Sequence, residues 1–226
     1  METRKFFNDE LNRLRQDILA MATMAEENLS KAISALRSHN FDLAQEVCND
    51  DAKIDALQTQ IEDDAAMLIS TQQPVARDLR EIVTIYKLTS NIERIGDYSV
   101  HLARAVKKLI KKEESALSVQ TSLMQASLEK MAKTGQIMIR TAIESYMKQN
   151  VQMARDAAAM DNVIDEEHKA LTEKILKIMK KNPDMIKSAY KILYVSGQLE
   201  RLGDHTTNIC EAVIYMVQGK HEELNE

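Results

Sequence analysis

Apolar side chains at Leu11, Leu14, Ile18, Met21, Ala25, Leu29, Ala32 and Leu36 alternate in steps of three and four, the spacing of one face of an α-helix. The pattern breaks at SHNFD, where Asn40 or Asp42 can cap a second helix. It resumes through Leu43, Val47, Ile54, Leu57, Ile61, Ala65 and Leu68 and ends near Ser70. In QQPVARDLRE, Pro74 stands where the first turn of a helix tolerates proline. A third stripe follows, made of Ile85, Leu88, Ile92, Ile95, Leu102, Val106 and Leu109. KKEESALS, residues 111–118, reads as a linker.

The cycle then repeats. Moving the third stripe along by 107 positions gives Ile192, Val195, Leu199, Leu202, Ile209, Val213 and Met216, all apolar. Asn40 corresponds to Asn150, and Asp51-Ala52-Lys53-Ile54-Asp55 to Asp161-Asn162-Val163-Ile164-Asp165, both at a separation of 110. Pro74 has its counterpart in Pro183. The match is imperfect, since Leu57 falls on Glu167 and Val47 on Ala157. Duplication of a three-helix unit accounts for it. The expected fold is all-α: tandem duplicated three-helix bundles, six long antiparallel helices of about 30 residues and roughly 45 Å each. The expected units are residues 1–113 and 117–221.

Composition sharpens this picture. Glycine (5), proline (2) and aromatics (4%) are scarce while 29% of residues are charged, which favours long helices over sheets. A net charge of -5 gives no reason to expect a nucleic-acid groove. Lys107, Lys108, Lys111 and Lys112 are offset by Glu113 and Glu114 and read as a solvated helix end. Cys48 and Cys210 are too few for a disulfide scaffold, so both are expected reduced and structural. No apolar run reaches the roughly 18 residues of a membrane span, and METRKFFNDE lacks the apolar core of a signal peptide. A cytoplasmic location without direct membrane insertion is expected. The 13 methionines are expected to fill the core.

The candidate chemistry is acidic. Residues 93–97 read ERIGD and residues 200–204 read ERLGD. At 100° per residue, Glu93 and Asp97 lie about 130° to 170° from the apolar stripe, hence on the outer face. The same holds for Glu200 and Asp204. Asp51 and Asp55 should flank the seam of the second helix, and Asp161 and Asp165 that of the fifth. Each bundle then offers two acid-xxx-acid pairs on adjacent antiparallel helices, able to converge on one strip. Roughly five such pairs are expected from composition alone, and each costs a helix about 0.2 to 0.5 kcal/mol. Four of them at equivalent places in two repeats point to metal binding, with solvated acidic faces as the alternative. Carboxylates suit iron, manganese, magnesium, calcium or zinc.

The neighbours have simpler expected roles. Arg94 and Arg201 are expected to pair with acids on a neighbouring helix, anion binding being the sharper alternative. Gly96 and Gly203 each cost a helix interior about 1 kcal/mol, and point to close approach by a neighbouring helix or a ligand. His205 stands where the first repeat has Tyr98 and reads as a surface residue, with a metal ligand as the alternative. His101 and Asn208 occupy equivalent positions one turn beyond Asp97 and Asp204, from which either could add a metal contact.

QQPVARDLRE, NIERIGD and ERLGDHTTNICEAVIYMVQGK together resemble the PhoU family, regulatory proteins of the bacterial phosphate-specific transport system. The resemblance spans nearly the whole chain. It implies paired three-helix bundles with acid-xxx-Asp motifs that bind multinuclear iron or zinc, carried here by Asp51, Asp55, Glu93, Asp97, Asp161, Asp165, Glu200 and Asp204. It also implies docking on the nucleotide-binding subunit of a phosphate ABC transporter and on a phosphate-sensing histidine kinase, with negative regulation when phosphate is sufficient. The first repeat departs from the family's N-I-A-E by reading His101-Leu102-Ala103-Arg104, whereas the second keeps Asn208-Ile209-Cys210-Glu211. Arg104 replaces an acid, which implies fewer ions or a different ion there.

Three functions compete at this level. The first is a non-catalytic metal-binding adaptor. The second is a di-iron helical-bundle enzyme, which needs Glu-x-x-His motifs facing the core; Asp165 before His168 is the closest this chain comes. The third is a metal-independent scaffold whose repeats pack together or form a homodimer. No nucleophile triad, acid-base dyad or phosphate-cradling glycine loop is legible in the sequence.

Overall fold

The computed structural model describes residues 2–110 and 118–224. Helices α1 (Glu2–Ser38), α2 (Phe41–Gln72) and α3 (Arg77–Ile110) form the first unit. Helices α4 (Ser118–Lys148), α5 (Val151–Ala158), α6 (Asp161–Lys181) and α7 (Ile186–Gln218) form the second, with a 3₁₀ turn at Pro183–Met185 before α7. All of the expected linker at 111–118 except Ser118, which begins α4, lies outside the described residues, as do the unit boundaries at 113 and 117. Lys111, Lys112, Glu113 and Glu114 lie outside them too.

The first turn of each unit is built twice in the same way. Asn40 caps α2 by accepting the Leu43 N–H at 3.0 Å, and Asn150 caps α5 by accepting the Met153 N–H at 3.1 Å. The residue before each cap, His39 or Gln149, takes a positive φ of 50° or 51°. The caps' own N–H groups return to Ala35 O (3.1 Å) and Ser145 O (2.9 Å), satisfying carbonyls that the helix ends leave open.

The apolar stripes meet in one continuous core, in which Leu14, Ile18, Leu29, Ile61, Ile92, Ile95, Leu171 and Leu199 are almost wholly buried. Met21, Met131 and Met138 are buried in it, whereas Met67 is 63% exposed. The units are joined chiefly along α3 and α7. Thr84 lies beside Ala212 (3.5 Å), Asn91 beside His205 (2.8 Å), Tyr98 beside His205 (3.2 Å) and His101 beside Gln198 (3.1 Å). One number rises as the other falls, so the helices run antiparallel.

This seam has the signature of a two-fold relation. Asn91, Tyr98 and His101 correspond to Gln198, His205 and Asn208, each 107 positions on. His101 bonds Gln198, and Asn208 bonds Asn91 at 3.3 Å: the same pair with the repeats exchanged. Tyr98 meets its own counterpart, His205. Two copies of a unit make such reciprocal contacts only across an isologous interface. A second tie runs outside the seam, where Arg15 of α1 holds the buried Glu81 of α3 at 2.6 Å beside the buried Tyr146 of α4, whose hydroxyl burial pushes well above its ordinary value.

The fifth helix departs from the expected single rod. Met160 N bonds Ala157 O (3.1 Å) and Val163 N bonds Met160 O (3.0 Å), so two 3₁₀ steps separate α5 from α6. Neither glycine nor proline marks the place. The tighter winding turns Asp161 inward, where it is 1% exposed.

Gly96 and Gly203 sit where a neighbouring helix comes close, as expected. A Cβ on Gly96 would lie 3.1 Å from Ile54 Cδ1 of α2, and one on Gly203 would lie 3.3 Å from Ile164 Cδ1 of α6. The buried Asp161 carboxylate lies closer still to Gly203, within clash distance, and accepts from Thr207 Oγ1 at 3.3 Å. Gly96→Ala is expected to change stability by less than about 1 kcal/mol, because improved helix propensity offsets a small shift of a methyl group. Gly203→Ala should cost about 2 to 3 kcal/mol, since a buried, hydrogen-bonded group must move. Urea unfolding of the two variants measures the difference; equal effects would contradict the packing of Asp161 against α7.

Candidate metal centre

The two acid strips grow out of the glycine contacts. Ile54 reaches α3 at Gly96, so the residues on either side of it, Asp51 and Asp55, face the groove that Glu93 and Asp97 line from α3. Ile164 reaches α7 at Gly203 and brings Asp165 opposite Glu200 and Asp204.

Glu93 and Asp97 are not on the outer face that angular spacing implied. Their side chains are 21% and 29% exposed. A helix packed on both sides has two covered flanks, so a residue far from the mean apolar direction can still face a neighbour. Asp51 and Glu200 are likewise half-buried, while Asp55, Asp165 and Asp204 are exposed.

Electrostatics show which acids share a strip. Burial raises the Asp51 carboxyl above its ordinary value, with further contributions from Asp55 and Asp97; the His101 and Arg104 charges act in the opposite sense. Burial, then Asp97, Asp55 and Asp51, raise Glu93 against the opposing charge of Arg94. In the second repeat burial and Asp204 raise Asp165, and burial, Asp204 and Asp165 raise Glu200. The neighbouring cations, Arg94, His101, Arg104, His168 and Arg201, offset the raised groups only in part. Asp50, next to Asp51, takes Lys31 (2.9 Å) and Lys53 (2.6 Å). Among the described residues Asp51, Asp55, Asp165, Glu200 and Asp204 form no ion pair. No three described His, Cys, Asp or Glu side chains are gathered tightly enough to hold an ion as they stand, so a cation would have to draw the carboxylates in.

Several expected roles are corrected. Asp161 does not join its strip, because the 3₁₀ steps bury it beneath Gly203. Arg94 pairs within its own helix, with Asp97 (3.1 Å) and Glu93 (3.6 Å), rather than across to a neighbour. Arg201 is exposed and forms no ion pair among the described residues. His205 is no free surface residue: its Nδ1 donates to Asn91 and its Nε2 accepts from the Tyr98 hydroxyl, a neutral arrangement favoured by burial, which lowers its basicity. Asn208 is engaged with Asn91, and His101 with Gln198, although His101 remains beside Asp51. Lys107 is not solvated; it bonds Gln45 and sits 5.0 Å above the Phe41 ring. Both cysteines are free, and burial pushes the Cys210 thiol up to about 12.

One residue was missed. His168, three residues after Asp165, acts on both Asp165 and Glu200. Ser196 Oγ donates to Leu193 O, so it receives the His168 Nδ1–H at 3.0 Å. That bond leaves Nε2 unprotonated in neutral histidine, the state in which imidazole ligates. The Asp-x-x-His spacing was the available signal.

The strips cost the protein stability near neutrality. A carboxyl held above its ordinary value binds its proton more tightly folded than unfolded, so stability present at acid pH is lost as pH rises through the folded value. Asp51→Asn with Glu93→Gln should therefore stabilise the chain at pH 7 by roughly 0.5 to 1 kcal/mol, about 1 to 4 °C in Tm. The gain should fade as pH falls below the ordinary carboxyl values of 3.8 and 4.5. Thermal unfolding across pH measures it, and a gain unchanged at pH 3 would show another cause.

Comparison with known proteins agrees with this architecture. The PhoU domain family matches at residues 18–106 and again at 128–213. The phosphate-specific transport system accessory protein PhoU homolog of Clostridium acetobutylicum is 32% identical over 225 residues, 99% of this chain and 100% of that protein. The crystal structure of PhoU from Pseudomonas aeruginosa superposes with a TM-score of 0.88 at 30% identity, covering 95% of this chain and 100% of that one. That of the phosphate transport system regulatory protein PhoU from Streptococcus pneumoniae gives 0.88 at 31%, covering 96% and 100%. With the family matched once on each repeat and the whole fold shared, the chain belongs to the PhoU family.

Proposed function

We propose that this chain is a non-catalytic regulator of phosphate uptake and of the phosphate-starvation response: a cytoplasmic, metal-binding adaptor. It docks on the nucleotide-binding subunit of a phosphate ABC transporter and on a phosphate-sensing histidine kinase, and restrains both when phosphate is sufficient. The names of its relatives, accessory and regulatory proteins of phosphate transport, support the setting. Among the described residues no helix is long and apolar enough to cross a membrane; in this reading partners hold the protein at the membrane.

The observation that carries the metal-binding part is the convergence of acids from adjacent helices across the glycine contacts, where burial first and then neighbouring carboxylates raise Asp51, Glu93, Asp165 and Glu200. Asp51, Asp55, Glu93 and Asp97 would hold the ion of the first strip, and Asp165, Glu200, Asp204 and His168 that of the second. A bound cation would neutralise the strip and tie α2 to α3, or α6 to α7, across the glycine contact. The first donor set is oxygen only and suits hard cations such as manganese or magnesium. An imidazole makes the second the better site for iron or zinc.

Elemental analysis of protein purified without an affinity tag tests the metal part. Iron or zinc near one equivalent or more per chain is expected. Glu93→Gln, Asp97→Asn, Glu200→Gln and Asp204→Asn together should lose it while remaining helical, and His168→Gln alone should weaken zinc at the second strip by at least about tenfold. Metal-free wild-type protein that also binds none when reconstituted would defeat this part. The adaptor part fails if the purified chain binds neither the transporter subunit nor the kinase's cytoplasmic region.

A further inference from the structure

The two-fold relation along α3 and α7 makes the two ends of the seam equivalent in backbone, but not in what fills them. At one end Lys87 sits 5.0 Å above the Tyr215 ring, and His221 stacks on the other side of the seam's edge against Tyr215 at 4.2 Å and 12°. Glu211 accepts the Leu224 N–H there at 3.0 Å. The chain's own last residues thus occupy that end, a planar ring against a tyrosine and a donor against a carboxylate.

At the other end the 107-residue correspondence places Arg104 for Glu211, Lys108 for Tyr215 and Tyr194 for Lys87. These three, with His101, Tyr190 and Lys191, line a cavity of about 290 Å³. The acid that takes a backbone donor in the second repeat is a guanidinium in the first. Two lysines stand beside it, so this end is built to receive an acceptor-rich anion. Tyr190 and Tyr194, 61% and 39% exposed, supply ring faces of the kind His221 finds at the opposite end. The volume exceeds what a bare phosphate fills and sits at the lower edge of small-molecule pockets.

We propose that this cavity binds a nucleoside phosphate, its phosphate held by Arg104 and Lys108 and its base stacked on Tyr190 or Tyr194. The cavity adjoins the first acid strip, since Arg104 and His101, which line it, also act electrostatically on Asp51.

Isothermal titration of the full chain with AMP, GMP, ATP and inorganic phosphate tests this. One nucleotide should bind saturably at one equivalent, with dissociation constants below about 1 mM. Arg104→Ala and Tyr190→Ala should each weaken it by about tenfold or more, and inorganic phosphate should bind more weakly than any nucleotide. Lys87→Ala, at the filled end, should leave binding unchanged and reports on folding and non-specific charge. No saturable nucleotide binding, binding indifferent to Arg104→Ala, or phosphate binding as tightly as AMP would overturn the proposal.

Discussion

The rest of the site depends on one constraint: pairs of helices come together at Gly96 and at Gly203, a contact with little slack at Gly96 and none at Gly203, where Asp161 already fills the space a side chain would need. Ile54 and Ile164 make the contacts from the facing helices. Each isoleucine is flanked along its helix by an aspartate that is thereby carried to the opposing ERxGD turn. A glycine in mid-helix lowers helix stability by about 1 kcal/mol, and the acidic residues facing each groove, four in the first and three in the second, lower it further. A sequence under selection for stability alone would hold neither. Their coexistence at the same place in both repeats is a physical reason to regard the groove as functional.

Duplication has left the two copies unequal in an informative way. The seam of α3 and α7 keeps its reciprocal bonds, His101 to Gln198 and Asn208 to Asn91, and sets Tyr98 against His205 where the two-fold relation makes a residue meet its counterpart. Away from the axis the copies diverge. The first strip retains Asp51 facing the groove, while in the second two 3₁₀ steps bury Asp161 and His168 stands at the groove instead. Arg104 and Glu211 carry opposite charges at equivalent positions. One fold therefore presents two acid strips of different donor chemistry and two seam ends of opposite electrostatic character.

Much of the fold was legible in the sequence because its information is local. Caps at Asn40 and Asn150, the apolar stripes and the reason for both glycines all follow from spacings within a few turns. What was not legible depends on partners more than a hundred residues away. His205 looked like a surface residue because nothing near it in sequence reveals Asn91 and Tyr98. Glu93 looked exposed because periodicity gives the mean direction of burial, not the number of neighbours a helix has. The break at Ala159 and Met160 carries no glycine or proline, so its effect on Asp161 was invisible. Arg94 shows the opposite failure: a partner was sought on another helix when Asp97 lay three residues away. His168 was readable from Asp165-x-x-His168, although the di-iron motif has glutamate at the first position.

Crystals grown with manganese, measured for anomalous scattering, address the central claim most directly. The account predicts ions on both strips, one among Asp51, Asp55, Glu93 and Asp97 and one among Asp165, Glu200, Asp204 and His168, with Asp161 still buried beneath Gly203. Ions absent from both strips in an unchanged fold, or bound only at Asp161, would contradict it.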